Sequence, residues 1–207
     1  MNVDMVTAAL EGRKTVARRV VKPQPAWIDG KGWCWAPPSK KSKLKAFSAH
    51  AKDDFVEALA THNPVGFVAG EQRIIREPFY TDQDDAQRIW YAANGPPPET
   101  GTWSNLKNGM HMPAWASRAV WHVREARYGR LTDMTEDDIL AEGIRVTSFT
   151  NGRTHVYGVP SWHRDDWRPT AREAWARFWD GSNQERDRKF QRGPWCQIVT
   201  GYAELNA

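Results

Sequence analysis

Short β-branched and aromatic runs, most of them closed by glycine, proline or asparagine, recur along this 207-residue chain without regular alternation with helices. That pattern argues against a doubly wound parallel sheet and for a small β structure with helical decoration. Val16 to Val21 favours a strand, ended by Lys22-Pro23-Gln24-Pro25. Val65 to Phe79 holds two apolar pieces around Gly70, and Arg73-Ile74-Ile75-Arg76-Glu77 within it reads as a strand. Ile89-Trp90-Tyr91-Ala92 is another, stopped by Asn94-Gly95 and Pro96-Pro97-Pro98. A longer strand is predicted from Ser117 to Arg127, with Ala119, Trp121 and Val123 on one face, and a closing one from Trp195 to Glu204. Helices are predicted at Asp4–Leu10, stopped by Gly12, and at Ser48–Ala60, with Phe55, Val56 and Leu59 inward. Two more follow Thr135 and Thr170, each with an acid three residues on as in a capping box. The first of these stops at Gly143, and the second carries Trp175, Phe178 and Trp179 on one stripe. Residues 26–47 read as an irregular basic and aromatic insertion, and 144–168 as a Gly- and Trp-containing excursion. The predicted fold class is α+β, a small mixed β-barrel with a few short helices.

Charge is unevenly spread. Residues 1–52 carry eleven Lys or Arg against three Asp or Glu, whereas residues 53–207 carry eighteen against twenty-two. The cationic half contains Gly12 to Pro25, where Arg13, Lys14, Arg18, Arg19 and Lys22 have no acid among them. An exposed helix intersperses acids among such bases, so a bare stretch points to an anionic partner, phosphate being the common one, or to a solvated loop. The Ser39–Lys45 run fits a solvated loop equally well.

Twelve tryptophans serve either packing or stacking on bases. Most are expected in the core, with Trp33 and Trp35, beside the lysine run, as the expected exceptions. Cys34 and Cys196 lie far apart, and the six histidines show no metal-ligand spacing. The acid pairs Asp53-Asp54, Asp84-Asp85 and Asp165-Asp166 sit in polar contexts, and no glycine-rich phosphate loop occurs. Neither a metal nor a nucleotide cofactor is expected. With two cysteines, no apolar leader and no apolar run of spanning length, the expected location is a reducing cytoplasm, with no membrane partner.

Six blocks in order carry a resemblance to a family. Leu10–Thr15 running into Arg18–Pro25 resembles the opening motif of phage and prophage proteins of the ASCH family, a branch of the PUA-like superfamily. Gly70–Glu77, Trp90–Gly95, His111-Met112-Pro113-Ala114-Trp115-Ala116-Ser117-Arg118, Asp138–Ile144 and Ala174–Asp180 resemble its later blocks. The resemblance spans 1–207 as one domain, with residues at about 26–62 and 145–168 as variable insertions. It implies a PUA-like β-barrel in a phage- or prophage-encoded protein of a bacterial host. Relatives carry a strand before the first helix, so here that strand is shortened or the start lies upstream of Met1.

Within the family, some members are amidohydrolases that remove an acetyl group from acetylated cytidine, and others are described as ribonucleases. The hydrolases use a lysine, a threonine three residues later and a glutamate at a strand end. Those positions fall on Lys14, Ala17 and Glu77, so the threonine is missing, and Thr15 replaces it only if the backbone turns there. Flanked by Arg13 and Arg18, Lys14 is expected to have its charged form disfavoured and to act as base, with Glu77 as acid or ion-pair partner. Alternatively Lys14 is a charged phosphate contact and Glu77 an acceptor for a base amino group. The nucleic-acid-binding set is expected to be Arg13, Lys14, Arg18, Arg19, His111, Trp115 and Arg118. The missing threonine tilts the reading toward recognition of RNA, single-stranded nucleic acid or a modified nucleotide. An amidohydrolase, a ribonuclease and a phage-assembly protein remain the alternatives.

Overall fold

A computed structural model describes residues 2–29, 31–35, 45–48, 66–148 and 154–206. The predicted Ser48–Ala60 helix, apart from Ser48, which ends a strand, and most of the lysine-rich run lie outside these residues. Two long antiparallel strands form the centre, β8 (Ala119–Arg130) and β11 (Trp195–Leu205). Strand β1 (Val16–Val20) pairs with β11, and β5 (Gln72–Ile74) pairs with β8, giving a four-stranded sheet in the order β1-β11-β8-β5. The alternation expected for Ala119, Trp121 and Val123 is present, all three being buried. They pack against Val6 and Ala9 of helix α1 (Val3–Leu10), together with Ile75 and Val199. Asn2 caps α1 by accepting from the Met5 amide, and Gly12 at φ +73° turns the chain out of it.

Three smaller sheets surround this one. Residues 26–47, expected to be irregular, instead supply strands β2 (Pro25–Ile28), β3 (Gly32–Trp35) and β4 (Lys45–Ser48), paired in that order. The aromatics that looked like exposed stacking surface have β propensity and make the cross-strand pairs. Trp27 faces Trp33 across the hairpin, with ring centroids 5.6 Å apart. Trp33 is therefore a packing residue, buried beside Val21 and Tyr128, and Trp35 lies half-buried against the same cluster. Strands β6 (Phe79–Thr81) and β7 (Ile89–Tyr91) form a hairpin, as do β9 (Arg145–Ser148) and β10 (His155–Gly158) inside the expected excursion. The fold is α+β, of short strands with a few short helices, and the described strands form these four sheets without a closed barrel.

Both predicted capping threonines cap. Thr135 and Asp138 make a reciprocal box at the start of α2 (Glu136–Ala141), and Thr170 accepts from the Glu173 amide at the start of α3 (Ala171–Ser182). Trp175 and Trp179 of α3 enter a second core with Met5, Leu131, Ile139 and Cys196. Burial, foremost among the causes, pushes the Cys196 thiol up to about 12. Site-resolved alkylation at pH 8 is expected to leave Cys196 unmodified in the folded protein and to label it on unfolding; labelling at equal rates in both states would contradict this.

A bulge between Thr200 and Gly201 bends β11 where it crosses β8. A Cβ added at Gly201 would meet the His122 carbonyl oxygen and come within 2.6 Å of Trp121 Nε1. Because backbone cannot move aside as a flexible side chain does, Gly201→Ala is expected to lose about 1–3 kcal/mol in urea unfolding.

Candidate functional site

A cavity of about 700 Å³ opens between the edge strands β1 and β5 of the four-stranded sheet and the aromatic stripe of α3. Cationic lining residues are Lys14, Arg18, Arg19, Arg73 and Arg76; Glu142 is the one carboxylate among the described residues that line it. Trp175, Phe178 and Trp179 form the α3 wall, with the Trp175 and Phe178 rings stacked at 5.5 Å and 23°.

At the buried end, Lys14 is only 4% exposed. Its Nζ donates to the Val16 carbonyl (2.6 Å), the Glu142 carbonyl (3.0 Å) and Glu142 Oε2 (2.5 Å). Three acceptors for three N–H bonds is the arrangement that holds an ammonium ion. The other oxygen, Glu142 Oε1, accepts from Arg18 Nη1 at 3.0 Å, while Arg18 Nη2 lies 3.3 Å from Asp138 Oδ1. Two cations thus share two carboxylates. Asp138 is pushed upward by burial but held lower overall by the Thr135 amide and by Arg18. The like-charge surroundings expected for Lys14 are corrected by this arrangement, because Glu142 stands between Lys14 and Arg18. Arg13 turns away instead, to Glu11 and the Gly143 carbonyl.

Glu142 was missed by sequence reasoning, although a signal existed. It follows the last turn of α2, where the helix dipole disfavours an anion, so an acid there calls for cations. Gly143, at φ +104°, lets this helix end press onto α1: an added Cβ would lie 2.9 Å from Ala8 Cβ and 3.5 Å from Lys14 Cβ.

Glu77 is not part of this cavity. Its carboxylate, 1% exposed, is held by Arg118 Nε at 2.8 Å and Nη2 at 3.0 Å. The third arm of Arg118 reaches Asn94 Oδ1 at 2.9 Å, and the guanidinium lies 4.3 Å from the Tyr91 ring centroid. Thr15 is exposed where its neighbour Lys14 is buried, as alternation on an extended segment dictates. Ala17, where the resemblance would place a threonine, does line the cavity. Lys14, Glu77 and Thr15 therefore do not converge.

At the outer end, the guanidiniums of Arg19 of β1 and Arg73 of β5 lie 4.9 Å and 5.4 Å from the Phe67 ring centroid. Gln197 of β11 fixes this ring by accepting from the Phe67 amide and donating to its carbonyl, both at 2.9 Å. Packing around the guanidinium of Arg19, although the residue keeps exposed surface, and then the charge of Arg73 hold the Arg19 pKa below its ordinary value. Arg73 also pairs with Glu71 at 2.9 Å. Arg76 Nη1 donates to the Met110 carbonyl and so joins the cavity rim to the loop bearing His111 and Trp115, both exposed, Trp115 by 62%. Arg18 Nε and the indole nitrogens of Trp121 and Trp175 are buried without an acceptor among the described residues, and all three residues line the cavity.

Among the described residues, no group of three or more His, Cys, Asp or Glu could hold a metal ion, and no helix is long and apolar enough to cross a membrane. The chain matches no family model, no curated protein and no solved structure.

Proposed function

We propose that the chain is a phage-type ASCH protein with a PUA-like fold, one that recognises RNA, single-stranded nucleic acid or a modified nucleotide in the host-cell cytoplasm. The cavity between β1 and β5 supports this reading, because five cations and one carboxylate line it beside aromatic rings. Lys14 and Arg18 share Glu142 and Asp138, and Arg73 pairs with Glu71, so among the described residues these three acids face the five cations and the arginines keep the surplus positive charge. Their side chains also donate in the fork geometry that matches phosphate. Binding of a short single-stranded RNA, followed by fluorescence anisotropy, is expected to weaken steadily with salt, by about 0.7 log units per log unit of salt for each phosphate contact. Absence of binding at low ionic strength, or binding indifferent to salt, would overturn the proposal.

One observation favours hydrolysis as the second reading: Lys14 and Glu142, 2.5 Å apart, both line the cavity that Ala17 also lines. In that reading Glu142, not Glu77, is the carboxylate that exchanges a proton with Lys14, and the hydroxyl absent at Ala17 limits turnover. Ala17→Thr is then expected to raise deacetylation of acetylated cytidine by about tenfold or more, since one positioned donor contributes 10²-fold or more at such centres. No turnover by either protein removes the hydrolase reading and leaves recognition.

A further inference from the structure

We infer that the cavity takes a phosphate-bearing nucleotide in two parts, with the phosphate between Arg19 and Arg73 at Phe67 and the base at the buried end against the α3 aromatics. This rests on the recognition reading above and narrows it to a ligand class. The two ends of the cavity differ in what they offer. At the buried end Lys14 and Arg18 are matched by Glu142 and Asp138, two cations against two carboxylates, which leaves little net charge for an anion. What remains there is an aromatic wall, in which Trp175 stacks on the half-buried Phe178. A flat heterocycle supplies a π-face to the half-buried Phe178 ring of that wall.

The outer end is the reverse. Arg19 has no hydrogen-bonded or ion-paired acid among the described residues, and Arg73 turns Nε and Nη2 onto the half-buried Glu71, keeping Nη1. Neither guanidinium spends all of its donors on acids, so both keep N–H groups for an anion. The charge of Arg73 acts against that of Arg19, and both guanidiniums lie on the Phe67 ring, whose backbone Gln197 anchors. A phosphate accepting from both relieves that repulsion. A neutral nucleoside leaves this end unused. The volume, about 700 Å³, falls within the range of small-molecule and cofactor sites.

The phosphate can be that of a free nucleoside monophosphate or one within a single strand, and calorimetric titration of the full chain at low salt separates them. The probes are the four common nucleosides, acetylated cytidine, their 5′-monophosphates, inorganic phosphate and short single-stranded homopolymeric RNAs. At least one monophosphate is expected to bind about tenfold more tightly than its nucleoside. Combined Arg19→Gln and Arg73→Gln is expected to erase that advantage while leaving nucleoside binding within about twofold and the near-ultraviolet circular dichroism unchanged. Equal binding of nucleoside and monophosphate, equal loss of both in the variant, or inorganic phosphate binding as tightly as the monophosphate would each overturn the two-part assignment without touching recognition. If only the RNAs bind, the phosphate is that of a strand. The same variant must then reduce the salt slope by about 0.7 or more, and an unchanged slope overturns the inference. If no probe binds, the recognition reading falls and this inference with it.

Discussion

Glu142→Ala is expected to lower the unfolding free energy by about 3–5 kcal/mol, the loss seen when one partner of a buried ion pair is removed. The side chains of Glu142, Lys14 and Arg18 are 2%, 5% and 1% exposed, so water cannot replace the lost carboxylate. Asp138 offsets part of the charge on Arg18, but Lys14 keeps only two backbone carbonyls. Urea unfolding reads the loss, and a double-mutant cycle with Lys14→Met isolates the coupling. A single-mutant loss under about 1 kcal/mol would mean that the pair is solvated, contrary to its burial. Acid sensitivity should follow from Asp138. Its folded pKa is depressed, so its contribution is fully present above the ordinary aspartate value and is lost as pH falls through the lowered one. Asp138→Asn should therefore flatten that acid limb of stability; an unchanged limb would show that Asp138 does not carry it.

Local signals in the sequence reached the elements and fell short of the site. Thr135 and Thr170 marked their helices because capping is a contact over three residues, and Ala119, Trp121 and Val123 marked their face because strand periodicity is local too. The β2–β4 sheet was hidden because its strands are four residues long and begin at a proline, with tryptophans that read equally well as stacking surface. Gln72–Ile74 is shorter than the strand expected through Glu77: Ser117 takes the Ile75 carbonyl with its hydroxyl, and the chain then leaves β8 toward Pro78. Lys14 and Arg18 were legible as a cationic pair, but their counter-charge was not. Glu142 lies 128 residues from Lys14, and only the close approach of α2 to α1 at Gly143 joins them. The resemblance points instead to Glu77 as the partner of Lys14, whereas Glu77 is held by Arg118, 41 residues on.

Arg118→Ala is expected to be nearly as damaging to the fold as the loss of Glu142, and this separates structural arginines from binding ones. Glu77 is 1% exposed and takes both of its charge-assisted bonds from the Arg118 fork, so the substitution strands a buried carboxylate at a cost of about 3–5 kcal/mol. It also removes the bond to Asn94 and the stacking on Tyr91, whose hydroxyl ties β7 to the Ala116 carbonyl. Arg118→Lys keeps the charge but not the bidentate fork, and should recover less than half of the loss. Glu77→Gln combined with Arg118→Met removes both charges and should be milder than Arg118→Ala alone, because no buried ion is then left unpaired. Thermal unfolding orders these variants; equal stability of Arg118→Ala and the native chain would place the guanidinium outside the fold's internal network. RNA affinity of Arg118→Lys, read at a temperature where it remains folded, should match that of the native chain, whereas the Arg19 and Arg73 variant loses binding with its fold intact. Arg118 thus holds the loop that carries His111 and Trp115 through Glu77, whereas Arg19 at Phe67 has no paired acid among the described residues.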